Sequence, residues 1–193
     1  MCDILKVYKT EIAWSFLENT QQGYNRGNYS TNLILLDDYS VMGIAKRNHC
    51  PSGFLLGVCI PNVGFLFTAL SLENGDFAPI TYIASHQLDG SPNTYYGLIQ
   101  FNSPQGIQNA GLCAIRATPI HMDSYDLDNY VDEIALAQDM LENDKSSFVA
   151  QYYNKLMTEE VAINSMHTIG RHASEFRTQP LDKSFKRIET LFT

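Results

Sequence analysis

The stretch Gly53-Phe54-Leu55-Leu56-Gly57-Val58-Cys59-Ile60-Pro61-Asn62-Val63-Gly64-Phe65-Leu66-Phe67-Thr68-Ala69-Leu70 is almost wholly apolar and long enough to span a bilayer as one helix. Pro61-Asn62-Val63-Gly64 at its centre argues otherwise, because Pro followed by Asn and Gly is a turn signal. Two buried strands over 53–60 and 64–72, joined by a tight turn, account for the pattern, and the chain reads as soluble. Working outward, the same criteria predict strands over 2–8, 32–37, 40–45, 79–85, 95–101 and 112–118. Asp37-Asp38-Tyr39 and Glu73-Asn74-Gly75-Asp76 read as hairpin turns. One early helix is predicted, capped by Thr10 and presenting Ile12, Phe16 and Leu17.

Beyond residue 118 the periodicity changes. Leu127, Tyr130, Val131, Ile134, Ala137 and Leu141 recur at three- and four-residue spacing, the stripe of a core-facing helix. Phe148, Val149, Tyr152, Tyr153 and Leu156 repeat it. A third helix starts at Thr158-Glu159-Glu160 and is expected to stop at Gly170. Leu181, Phe185, Ile188 and Phe192 mark a fourth. The expected fold class is α+β in a single domain, 1–193. A mainly β core occupies 1–118, with an αββα sandwich as its most specific form, and 119–193 forms a helical third.

With 193 residues and 45% apolar content, the chain can bury a sizeable core. Its net charge of −8 is the wrong sign for a nucleic-acid partner. Residues 123–144 hold eight of the acids and no Lys or Arg, whereas the segment after Gly170 turns basic. Cys2, Cys50, Cys59 and Cys113 lie far apart, with no paired-cysteine motif and no signal peptide ahead of them. Reduced thiols in a cytoplasmic compartment follow. No phosphate loop or metal-ligand pattern is found; His167 and His172 are five apart and do not share a helical face. No cofactor, metal or membrane partner is expected.

The most chemical feature is Met1-Cys2. Removal of Met1 would leave one residue carrying a thiol and an α-amine that titrates near neutral pH, a nucleophile with its own base. A second thiol candidate is Cys113 with His121 and Asp123; His49-Cys50 is a third. Met1-Cys2-Asp3-Ile4-Leu5, a short helix, then Gln22-Gly23-Tyr24-Asn25-Arg26-Gly27 and paired strands resemble the start of class II glutamine amidotransferase domains. Those are N-terminal-nucleophile hydrolases of four-layer αββα architecture. The resemblance covers about 45 residues and implies that Cys2 is the nucleophile and that the Arg26-Gly27 pair binds substrate. Arg26 or Arg116 would anchor a carboxylate on glutamine or another small amide. Departures are Asp3 in place of the family's Gly, no Gly-His-x-Arg-x-x-Thr segment, and Ser85-His86-Gln87-Leu88-Asp89-Gly90 where an Asn-Gly pair belongs. Cys113-Ala114-Ile115-Arg116-Ala117-Thr118 has the arginine with Thr one place too near. The reading from another class is a non-catalytic binding or assembly protein. It would engage a protein partner, or a further copy of itself, through acidic and aromatic surfaces.

Overall fold

The computed structural model describes residues 3–16, 26–48, 50–73, 79–88, 90–144, 147–176 and 182–192. Eight antiparallel strands follow in chain order: β1 Ile4–Phe16, β2 Arg26–Leu36, β3 Ser40–Arg47, β4 Cys50–Ile60, β5 Gly64–Ser71, β6 Ile80–His86, β7 Thr94–Ser103 and β8 Gly106–Ile120. Each pairs with the next, and β8 returns to β1 in a ladder from Val7↔Ile120 to Phe16↔Gly111. The sheet therefore closes into a barrel. Four helices, α1 Ser124–Asn143, α2 Phe148–Leu156, α3 Glu159–Phe176 and α4 Asp182–Glu189, pack on its outer wall.

Closure corrects the α+β expectation and its αββα form: the fold is mostly β, one sheet curled on itself rather than two stacked sheets. The physical reason is burial on both faces. Tyr8, Ile12, Leu33, Leu55, Phe65, Phe67, Tyr82 and Ile99 fill the barrel interior. Outward-facing Val7, Ile34, Ile44, Phe54, Leu56 and Leu70 meet Tyr130, Ile134, Leu141, Val149 and Tyr153 of α1 and α2. Across the barrel, Ala13, Tyr96 and Ala114 meet Phe185 and Ile188 of α4. Strands buried on both faces carry near-continuous apolar runs, and such runs read equally as layers of a sandwich.

The predicted early helix is also corrected. Thr10, Ile12 and Phe16 belong to β1, with Ile12 and Phe16 in the interior core. Their spacing satisfies a two-residue alternation as well as a helical one, and pairing with both β2 and β8 decides it. Leu17 and the turn at 74–76 lie outside the described residues. The turn at Pro61-Asn62-Val63 forms as read, joining β4 to β5 at the pair Ile60↔Gly64, with Asn62 at φ 63°. Gly170 does not end the third helix, which continues to Phe176. It is exposed and nothing stands within 4 Å of the place a Cβ would take, so the cost is only the propensity of a mid-helix glycine, about 1 kcal/mol. Among the described residues, no helix is long and apolar enough to cross a membrane.

The wall has one short ladder. β2 and β3 pair only at Leu33↔Gly43, Ile34↔Met42 and Leu35↔Val41. Past Gly43 the Tyr130 hydroxyl sits between the strands, accepting from the Ile44 amide at 3.1 Å and donating to the Asn32 carbonyl at 2.6 Å. The Thr31 hydroxyl donates to the Ile44 carbonyl in the same gap. A helix side chain thus completes the barrel wall.

Candidate functional site

Of the residues that the amidotransferase resemblance implies, the structure describes Arg26, Gly27 and Arg116. Cys2 lies outside the described residues. Its neighbour Asp3 accepts from the Asp37 amide at 2.9 Å, at the end of the barrel that holds the β2–β3 turn. Arg26 and Gly27 sit at the opposite end, paired with Ser15 and Trp14. Twelve residue steps along β1 lead from Asp3 to Ser15, roughly 40 Å of strand at about 3.3 Å each. Arg26 is exposed, and Gly27 lies beneath the Trp14 indole, where a Cβ would come within 2.6 Å of the ring. Arg116 projects from the outer wall. Its guanidinium donates to Glu11 at 3.2 Å and stands 4.3 Å from the centre of the Phe192 ring, which ties the end of the chain to β1 and β8.

The other thiol readings also separate. Cys113 points into the barrel, fully buried, with its Sγ 3.3 Å from the Leu98 carbonyl. Burial raises its thiol pKa, so it stays protonated. His121 is exposed beyond the end of the same strand, some eight extended residues away, and Asp123 caps α1 by accepting from the Asp126 amide at 2.9 Å. Cys50 is exposed at the start of β4; His49 lies outside the described residues. Among the described residues, no three His, Cys, Asp or Glu side chains come together as a metal site.

Two other features of the surface carry chemistry. The first is the outward face of α1. Tyr130, Ile134, Ala137 and Leu141 turn inward, which leaves Tyr125, Asp128, Asp132, Leu136, Asp139 and Met140 facing out. Asp128, Asp132, Leu136 and Met140 succeed one another at four-residue spacing, so they form one ridge. Leu136 is 53% and Met140 43% exposed. The charge pattern opposes helix stability in two ways. Asp128 and Asp132 repel at i,i+4, and the last turn holds no basic residue to complement the negative end of the dipole. Lys46 pairs with Glu133 at 2.6 Å on the flank of the helix. Among the described residues, α4 packs on β8 and β1, whereas α1 packs on β3, β4 and α2.

The second feature is a cavity of about 720 Å³ at the barrel end near Asp3, formed by the β4–β5 turn, the loop after β6, and α3. Asn62, Gln87, Ser91 and Asn93 border it with neutral hydrogen-bonding groups, and Ser85 lines it from β6. Asn62 and Asn93 both hold positive φ, a conformation Asn tolerates better than most residues. Beneath them the Tyr95 hydroxyl is hydrogen-bonded by the Gln87 side chain and the Asn62 backbone. Its pKa is raised, first by burial and next by Cys59, and those two hydrogen bonds offset part of the rise. Ser85 Oγ in turn is bonded to His172 Nδ1 across 87 residues of chain.

Sequence reading singled out the 85–90 segment and His172 for other roles and did not join them. The outward period of α1 was legible, but its exposure among the described residues was not. No known family model, curated protein or solved structure matches the chain.

Proposed function

We propose that the chain is a protein-docking module whose outward α1 face receives a basic partner with apolar anchors. The observation that supports this most is the ridge Asp128–Asp132–Leu136–Met140, where exposed apolar side chains stand among acids that destabilise their own helix. A cationic partner would neutralise the repulsion. Burying the exposed half of Leu136 and of Met140 would add about 1 kcal/mol each. A symmetric contact between two α1 helices is disfavoured, because it would set like charges against each other. A cytoplasmic setting belongs to this reading, supported by the free thiols Cys50, Cys59 and Cys113. Amide cleavage by Cys2 has less support, since Arg26 and Gly27 lie at the other barrel end from Asp3 and Arg116 is engaged with Glu11 and Phe192.

A Lys- and Leu-rich amphipathic peptide is the direct probe. Titrated into the isotopically labelled protein, it should shift amide resonances of α1, weaken steeply with salt, and lose affinity at least tenfold on Leu136→Ser or Asp132→Lys. Shifts confined to other elements, or affinity indifferent to both substitutions, would end the proposal.

A further inference from the structure

Ser85 lines the cavity at the barrel end and is hydrogen-bonded to His172 behind it, a pairing that docking through α1 does not use. Tyr82 and Ala84 face the barrel interior, and Ser85, the extra residue where the β6–β7 register shifts between Ala84 and His86, reaches α3 instead, where it is bonded to His172. Ser85 is 7% and His172 6% exposed, yet Ser85 borders the cavity beside Gln87 and Asn62. β5 begins against it at Gly64, where a Cβ would stand 2.8 Å from the Ser85 Cβ. Only glycine leaves the serine uncrowded on that side. The imidazole approaches the hydroxyl through Nδ1, within hydrogen-bond reach, as a general base must.

We propose that Ser85 and His172 are the nucleophile and base of an esterase site opening into this cavity, acting on a neutral, polar carboxylic ester. Ser85 Oγ attacks the ester carbonyl carbon, and its proton passes to His172 Nδ1. The C–O bond to the alcohol then breaks, and the alcohol leaves with that proton. Water adds to the acyl carbon, giving one proton to His172. Collapse releases the carboxylic acid, and His172 returns the proton to Ser85. The substrate class follows from the walls: the Asn62, Gln87, Ser91 and Asn93 side chains offer hydrogen bonds but no charge. The Gln87 side-chain amide, on the cavity wall two residues from Ser85, is the donor assigned to the oxyanion.

The test uses the full chain with a fluorophosphonate probe and p-nitrophenyl acetate. A single adduct on Ser85 by peptide mapping, abolished by Ser85→Ala and slowed roughly 100-fold or more by His172→Gln, supports the site. No adduct on the folded protein, or an adduct on another serine, overturns it. An unchanged labelling rate in a folded His172→Gln variant also overturns it and leaves the pair as a tether between α3 and β6. Should either variant fail to fold by circular dichroism, the position of the wild-type adduct decides alone.

Discussion

The Tyr130 hydroxyl accepts a hydrogen bond from the Ile44 amide at 3.1 Å, across 86 residues of sequence. Because β2 and β3 pair no further than Gly43, this bond and the one to Asn32 stand in for missing ladder bonds. Burial raises the pKa of the hydroxyl, so it stays neutral and able to donate. Tyr130→Phe keeps the ring and removes both bonds, leaving the buried Ile44 amide without this partner, whereas the part-buried Asn32 carbonyl still faces the Thr31 hydroxyl. A loss of about 1–3 kcal/mol is expected in urea denaturation. A loss below about 0.5 kcal/mol would show that the wall does not need the helix here.

Asp132→Lys should act in the opposite direction. It turns the Asp128 repulsion into an i,i+4 attraction and installs a better helix former at an exposed site. Stability should rise by about 0.5–1 kcal/mol while binding of a cationic peptide weakens. Such a trade between stability and binding distinguishes a working surface from an idle one.

Phe185 is completely buried, with its ring centre 5.2 Å from that of Tyr96. Phe185→Ala should release α4 from β8 and β1 at a cost of about 3–5 kcal/mol. Hydrogen exchange would then show α4 amides losing protection while those of β4 and β5 keep theirs. Uniform loss of protection would mean that the helix and the barrel unfold as one unit.

Alkaline pH should destabilise the protein through its interior. Burial raises the Cys59 thiol from 9.0 to about 12, and Tyr8 rises from 10.0 to about 12, first by burial and then through Cys59 and Tyr95. Both groups hold their protons more tightly folded than unfolded. Their contribution is complete below about pH 9 and is lost as pH climbs toward 12, by roughly 1.4 kcal/mol per pH unit for one such group. The urea midpoint should hold from pH 7 to 8.5 and fall above it. The same burial predicts that iodoacetamide at neutral pH modifies Cys50 but reaches Cys59 and Cys113 only after unfolding.

The sequence alone determined features that depend on near neighbours. Pro61-Asn62-Val63-Gly64 specifies its turn through backbone preferences of four residues, and the Leu127–Leu141 stripe specifies the inward face of α1 through helical period, except at Val131, which is exposed. Tertiary structure decided what depends on residues far apart. Thr10, Ile12 and Phe16 fit two periods, and only pairing with β2 and β8 makes them a strand. Nothing local marks Gly111 as the partner of Phe16, yet that pairing turns a stack of expected layers into a closed barrel. Ser85 and His172, like Tyr130 and Ile44, meet only because α3 and α1 lie across particular strands. Short-range propensity acts along the chain; closure and site assembly rest on contacts whose entropic cost is recovered only when the whole barrel forms.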